Sequence, residues 1–90
     1  MKCLLVYDIA DDRVRARVAD VALDYGLSRI QYSAYLGTLN RNLQEELMLK
    51  VKGKMGRKPG NVQLFPICAQ DLQQRLEIDI QRPQGAGDHR

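Results

Sequence analysis

Hydrophobic residues occur in short blocks along the chain, and the spacing within each block predicts its secondary structure. Residues 2–10, KCLLVYDIA, place apolar side chains next to one another, which predicts a strand buried on both faces. Val14, Val18 and Val21 then recur with helical spacing. Asp11 or Asp12 can cap this helix, so the opening of the chain predicts a βα unit.

The middle of the chain predicts two further strands and a second helix. Residues 28–39, SRIQYSAYLGTL, are rich in β-branched and aromatic residues and are interrupted by Gly37. This block is longer than a usual strand, which indicates two short strands or one sharply bent strand. Asn42 and Glu45 have the spacing of a capping pair. The buried stripe of the helix they would begin is Leu43, Leu47 and Val51.

The last third of the chain predicts a loop, two strands and a tail. Glycine and proline make residues 53–60 a loop, and residues 61–67 alternate as a strand whose Pro66 favours a sheet edge. Residues 76–80, LEIDI, alternate as another strand after a short polar turn. Residues 82–90 have nothing to bury and are expected to be a disordered tail.

These elements predict an α+β fold, a ferredoxin-like βαββαβ sandwich with an extra C-terminal strand, formed by residues 1–81. The extra strand needs a sheet edge with which to pair. A domain of 90 residues buries only about 60% of the surface of its unfolded chain, so a partner would stabilise it. A second copy can supply that edge, which favours a homodimer.

Composition favours a cytoplasmic protein that does not enter a membrane. No apolar run approaches the roughly 18 residues of a membrane-spanning helix, and the first residues do not resemble a signal peptide. Cys3 and Cys68 are isolated from each other and from histidine, which predicts two buried thiols rather than a zinc site.

Positive charge is concentrated in one segment, although the net charge of +3 is modest. Five basic residues fall within nine positions: Lys50, Lys52, Lys54, Arg57 and Lys58. Such a cluster suits the phosphate backbone of duplex DNA, while a solvated helix end has the same composition. Lys50, Lys54, Arg57 and Lys58 are therefore candidate nucleic-acid contacts.

Three segments in order resemble one known family. They are VYDIADDRVRARVA, YGLSRIQYSAYLGTL and VQLFPIC, the last preceded by a lysine-rich helix end. Together they resemble the CRISPR-associated protein two family, the small non-integrase subunit of the spacer-acquisition machinery, over about residues 3–80. The resemblance implies a ferredoxin-fold homodimer whose last strand crosses to its partner. It also implies a CRISPR-associated integrase and duplex DNA as partners, with single-stranded RNA left open.

The resemblance also implies a site around Asp8, the acidic residue that ends the first strand. In the implied dimer, two copies of Asp8 face each other near the two-fold axis and hold one Mg²⁺ or Mn²⁺, which makes Asp8 the metal ligand and the catalytic candidate. Further residues match family positions for nucleic-acid or interface contacts: Tyr7, Arg15, Arg17, Arg29, Ser33 and Tyr35. The family often has phenylalanine at position 35.

The chemistry of this site requires the second copy, because one carboxylate is a poor Mg²⁺ site. A symmetric pair would hold the ion, which could polarise a phosphodiester oxygen and activate water. The alternative is that Asp8 only accepts hydrogen bonds from backbone amides. The single histidine, His89, lies in the tail, so no side chain is an evident general base.

The arginines of the first helix divide between two sides. Arg13 and Arg17 align with Asp20 and Asp24, where an ion-paired, solvated face is the alternative to nucleic-acid binding. Arg15 points elsewhere, which favours it as a contact to phosphate or to the partner subunit.

The favoured hypothesis is a dimeric CRISPR adaptation protein that binds duplex DNA and bridges the integrase. A metal-dependent endonuclease activity on RNA or DNA is left open beside it. A ferredoxin-fold, toxin-like endoribonuclease outside CRISPR systems is the alternative.

Overall fold

A computed structural model describes residues 1–80, which form one antiparallel four-stranded sheet and three helices. The elements are β1 (Lys2–Asp8), α1 (Asp12–Asp24), β2 (Ser28–Gln31), β3 (Ala34–Thr38), α2 (Arg41–Met55), β4 (Asn61–Ile67) and α3 (Ala69–Gln73). The strand order β2-β3-β1-β4 places β1 in the interior of the sheet. The predicted βαββαβ order is confirmed, while the predicted tail at 82–90 lies outside the described residues.

The core lies between α1, α2 and one face of the sheet. Cys3, Leu5 and Tyr7 of β1 are buried in it, whereas Leu4 and Val6, which point to the opposite face, are only half-buried. The prediction that β1 is buried on both faces is therefore wrong for the single chain. Both helices cover the same face, so the other face stays open to solvent.

Side-chain caps set the starts of α1 and α2. Asp11 caps α1, since its carboxylate accepts a hydrogen bond from the Val14 amide at 3.0 Å, as predicted. Asn40, rather than the predicted Asn42, caps α2, and its side-chain oxygen accepts from the Leu43 amide at 2.8 Å. Because α2 begins at Arg41, its buried stripe also differs from the predicted one.

The buried stripe of α2 contains a polar residue. Leu47 and Val51 are buried as predicted, but Leu43 is exposed and Gln44 is buried. The Gln44 amide donates to the Leu39 carbonyl at 2.9 Å, so its polar group is satisfied in the core.

The end of α2 and the second cysteine also differ from the predictions. The predicted loop at 53–60 is helical up to Met55, and the helix ends at Gly56, whose φ of 57° suits glycine. Cys3 is buried as predicted, whereas Cys68 is exposed between β4 and α3.

The C-terminal segment departs furthest from the prediction. Pro66 lies on β4, which is an edge strand as predicted, but α3 replaces the predicted turn. Residues 76–80 form no strand in the single chain. Leu76, Ile78 and Ile80 are 98%, 89% and 85% exposed. Pairing of this segment with a second copy stays a prediction.

Helices long and apolar enough to cross a membrane are absent from residues 1–80.

Two glycines are expected to respond oppositely to alanine substitution. A Cβ on Gly37 would lie 2.4 Å from Cδ2 and 3.1 Å from Cα of the buried Leu27, so Gly37→Ala overpacks the core. We expect this variant to lose about 1–3 kcal/mol of unfolding free energy. A Cβ on Gly53 meets nothing within 4 Å. Because alanine favours the helix more than glycine does, Gly53→Ala should gain about 0.5–1 kcal/mol of unfolding free energy.

Thermal unfolding of the two variants beside the wild type checks this prediction. Each kcal/mol of change in unfolding free energy is expected to shift Tm by about 4–8 °C. Equal stability of Gly37→Ala and the wild type would contradict the close packing of β3 against Leu27.

Candidate nucleic-acid and metal site

Asp8 lies exposed at the end of β1, opposite Asn61 of the edge strand β4. The alternation along β1 places it on the open face of the sheet, with Leu4 and Val6. No hydrogen bond or ion pair to the Asp8 carboxylate forms within residues 1–80. The alternative in which backbone amides hold this carboxylate is therefore not seen in the described chain.

A single chain offers the Asp8 carboxylate as a ligand for a hard cation, but the part of it that the structure describes does not offer enough ligands to hold the ion. Carboxylate oxygen is what Mg²⁺ and Mn²⁺ prefer, and the Asp8 oxygens are unengaged by the described residues. Within residues 1–80, no three His, Cys, Asp or Glu side chains gather to hold a metal ion. Additional ligands would have to come from a second copy, from water or from a phosphate.

A second group of candidates surrounds a cavity of about 210 Å³ beside the β2–β3 turn. We call it the tyrosine–arginine cluster, and its members are Tyr7, Arg15, Arg29, Tyr32, Ser33 and Tyr35. The Tyr7 and Tyr35 rings stack with centroids 6.1 Å apart. Burial, together with the neighbouring Tyr35 hydroxyl, raises the pKa of Tyr7 to about 12. Tyr7 is therefore neutral at physiological pH and is a hydrogen-bond donor rather than a base.

Arg15 is engaged by its own chain. Its Nη1 donates to the carbonyls of Ile9 at 2.8 Å and Ala10 at 3.3 Å, and its Nη2 pairs with the Asp12 carboxylate. These bonds tie the start of α1 to the end of β1. The geometry thus gives Arg15 a positioning role within the loop, and contact with phosphate stays a prediction.

Arg29 and Ser33 occupy the turn side of the cluster. Arg29 is exposed, and its guanidinium lies 5.5 Å from the Tyr32 ring centroid. Ser33 adopts a left-handed φ of 66°, and its carbonyl accepts from the Tyr7 amide at 3.1 Å. Ser33 therefore shapes the turn through its backbone, and its role as a nucleic-acid or interface contact stays a prediction.

A third group lines a cavity of about 650 Å³ between the start of α1 and the end of α2. We call it the basic groove. Its charged lining residues are Arg13, Arg17, Lys54, Lys58, Asp11 and Asp12. Lys58 pairs with Asp11 at 3.6 Å. The hydrogen bond from the Val14 amide, aided by Lys58, lowers the pKa of Asp11, so the cap stays ionised at neutral pH.

Arg13, Arg17 and Lys54 keep their charges available. They form no ion pair among the residues that the structure describes, including the pairs with Asp20 and Asp24 that the helix spacing allowed. Excess positive charge therefore faces the groove.

The remaining lysine-cluster candidates lie elsewhere. Lys50 places its Nζ 5.6 Å from the Tyr25 ring centroid, and the Tyr25 hydroxyl donates to Glu46. Arg57 is exposed in the turn after α2 and does not line the groove. Four residues of the lysine-rich segment were predicted to contact the phosphate backbone of DNA, and two of them, Lys54 and Lys58, line the groove.

Comparison with known proteins identifies the family. The sequence model described as CRISPR associated protein Cas2 matches residues 1–75. The chain belongs to the Cas2 family. A Cas2 relative from Chloroflexus aurantiacus, described as a CRISPR-associated endoribonuclease, is 52% identical over 81 residues, covering 90% of this chain and 95% of the relative.

Two further Cas2 proteins extend this comparison. A Thermoproteus tenax protein, described as a fusion of the CRISPR-associated endonuclease Cas1 with the endonuclease Cas2, is 35% identical over 94% of this chain and 32% of its own length. Streptococcus pyogenes Cas2 shares the fold with a TM-score of 0.72 and 19% identity, over 87% of this chain and 98% of its own. The resemblance to this family is thereby confirmed, and the names of the relatives support a CRISPR role.

Proposed function

We propose that this Cas2 family member is a homodimeric adaptor that binds duplex DNA and bridges the CRISPR-associated integrase during spacer acquisition. The observation that carries the proposal is the basic groove, where Arg13, Arg17 and Lys54 have no ion-pair partner among residues 1–80. The Thermoproteus tenax relative supports the integrase as partner, because its name joins Cas1 and Cas2 in one chain.

The composition of the groove favours backbone recognition over sequence recognition. Lysine and arginine neutralise phosphates and release counterions, which provides affinity without reading the bases. The two acids in the groove belong to the start of α1, and one of them is already paired with Lys58. The cations that remain can therefore follow the phosphates of a duplex.

The open face of the sheet supports the dimer. Leu4, Val6 and Leu36 on this face are half-buried, and Phe65 is 45% exposed. Leu4 of β1 lies opposite Leu36 of β3 and opposite Phe65 of β4, so apolar side chains are neighbours across three strands of this face. Burying such a face against a second copy would stabilise a small domain and would bring the two Asp8 side chains towards each other.

A second candidate function is a metal-dependent endonuclease activity on RNA or DNA. It is favoured by the exposed Asp8 carboxylate and by the word endoribonuclease in the names of relatives. The Asp8 pair of a dimer would hold Mg²⁺ or Mn²⁺, which supplies Lewis-acid polarisation of a phosphodiester. The neutral Tyr7 would act only as a hydrogen-bond donor.

The adaptor proposal is tested by removing charge from the groove. The double variant Arg17→Gln/Lys54→Gln should bind duplex DNA about 10- to 100-fold more weakly. The slope of log affinity against log salt should also fall by about 1.8, since each phosphate contact contributes about 0.9. Fluorescence anisotropy with labelled duplex at several salt concentrations measures both quantities.

The matched control is Arg41→Gln/Lys52→Gln, which also replaces one arginine and one lysine and so removes the same two charges. Arg41 lies outside the groove, in the cavity that Lys52 lines. Lys52 lines a separate cavity with Leu49 and Leu64, so this variant should bind duplex as the wild type does. Equal losses in the control and the groove variant would mean that overall charge, rather than the groove, attracts DNA.

A further inference from the structure

Tyr32 lies at the tip of the β2–β3 turn with 66% of its surface exposed, outside the basic groove. A single exposed aromatic residue is ordinary in itself. Here, however, two cations lie over the ring, because the guanidinium carbons of Arg15 and Arg29 are 5.4 Å and 5.5 Å from its centroid, while most of the residue stays open to solvent. The chain thus combines a solvent-exposed aromatic surface with positive charge.

The surroundings of Tyr32 hold it in place. The next residue, Ser33, has a left-handed φ of 66°, and its carbonyl accepts from the Tyr7 amide of β1 at 3.1 Å. On the other side, Arg15 is fixed by hydrogen bonds to the Ile9 and Ala10 carbonyls. A ring on a preformed support loses less conformational entropy when it binds a ligand than a ring on a mobile loop.

The two arginines are not equivalent as ligands for an anion. Arg15 is engaged by two carbonyls and by Asp12, whereas Arg29 forms no ion pair with any carboxylate of the described chain. Arg29 is therefore the cation available to a phosphate near the Tyr32 ring.

We propose that Tyr32 is a stacking platform for an unpaired base of single-stranded RNA or DNA, with Arg29 contacting an adjacent phosphate. Stacked bases inside a duplex cannot present a face to the ring, whereas bases of single strands stack readily on aromatic side chains. The inference rests on the proposed nucleic-acid binding and assigns unpaired nucleotides to a surface separate from the basic groove.

Binding of short oligouridine, oligothymidine and duplex DNA to three proteins tests the platform. Tyr32→Ala should weaken binding of both single strands about 5- to 100-fold, while Tyr32→Phe, which keeps the ring, should bind them as the wild type does. Duplex affinity should be the same in all three proteins. A preference for oligouridine over oligothymidine would identify RNA as the better ligand within the same proposal.

A spectroscopic readout separates stacking from other contacts. The chain contains no tryptophan, so Tyr32→Trp introduces one tryptophan at the platform, which can be excited at wavelengths where the remaining tyrosines do not absorb. Its emission should be quenched by saturating single strand and unchanged by duplex. Unquenched emission, or unchanged single-strand affinity in Tyr32→Ala, would overturn the inference.

The remaining outcomes also decide the question. Equal losses of duplex and single-strand binding in Tyr32→Ala would overturn the inference as well. A wild type that binds duplex but no single strand refutes the platform alone, whereas a wild type that binds neither refutes the proposed function.

Discussion

Asp8→Asn is expected to abolish metal-dependent cleavage of nucleic acid while duplex binding persists. Asparagine keeps the size of the side chain but removes the negative charge that would hold Mg²⁺ or Mn²⁺. Metal stabilisation of a phosphoryl transition state contributes several kcal/mol, so a fall in rate of about 100-fold or more is expected. Folding should be unaffected, because the carboxylate is exposed and accepts no hydrogen bond from residues 1–80.

The measurement uses spacer-length duplex DNA and single-stranded RNA, each with Mg²⁺ or with a chelator, and scores both gel shift and cleavage. Asp20→Asn is the control, since it removes one exposed carboxylate from α1 without touching the site. Undiminished cutting by Asp8→Asn would exclude Asp8 as the catalytic residue. Duplex binding without cutting by every protein would leave the adaptor function alone.

Hydrophobic periodicity was sufficient to predict the order of elements but not how each surface is covered. The contiguous apolar run of β1 has the pattern of a strand between two layers of helices, yet both helices lie on the face of Cys3 and Leu5. Leu4 and Val6 are apolar although the single chain leaves them half-buried. A sequence does not distinguish a face covered by its own helices from one that needs a partner.

The wrong predictions for the cap and the buried stripe of α2 arise because two asparagines could each begin the helix. Asn40 and Asn42 are both good caps, and the choice of Asn40 lets Gln44 reach the Leu39 carbonyl while Leu43 turns outward. Hydrogen bonds of this kind depend on backbone geometry that the spacing of apolar residues does not contain.

The position of a candidate residue was predictable where it depends on one element. Asp8 was selected through the family resemblance, and the fold places it exposed at the end of β1, while its role stays a prediction. The basic groove, in contrast, joins Arg17 of α1 to Lys54 of α2, which are far apart in sequence. Successive lysines of one helix point in different directions, so the cluster around Lys50 and Lys52 divides between surfaces. The pairing of Tyr32 with two arginines also required the folded turn.

The exposed C-terminal segment leads to the second large expected effect, on the dimer. Leu76, Ile78 and Ile80 alternate with Glu77 and Asp79, a pattern suited to a strand with one apolar face. In the single chain these apolar residues are at least 85% exposed, and β4 is an edge strand. Pairing of this segment with β4 of a second copy would cover both surfaces.

Ile78→Asp should therefore convert the proposed dimer to monomers. Burial of an isoleucine contributes about 1.5–3 kcal/mol, and a symmetric dimer loses it twice, which raises the dissociation constant about 100- to 10,000-fold. Since Ile78 is 89% exposed in the single chain, the variant should fold normally. Sedimentation velocity over a range of concentrations measures the effect, with Glu77→Gln as the control on the alternate side. An Ile78→Asp dimer as tight as the wild type would place the interface on the open sheet face alone, and a monomeric wild type would refute the dimer.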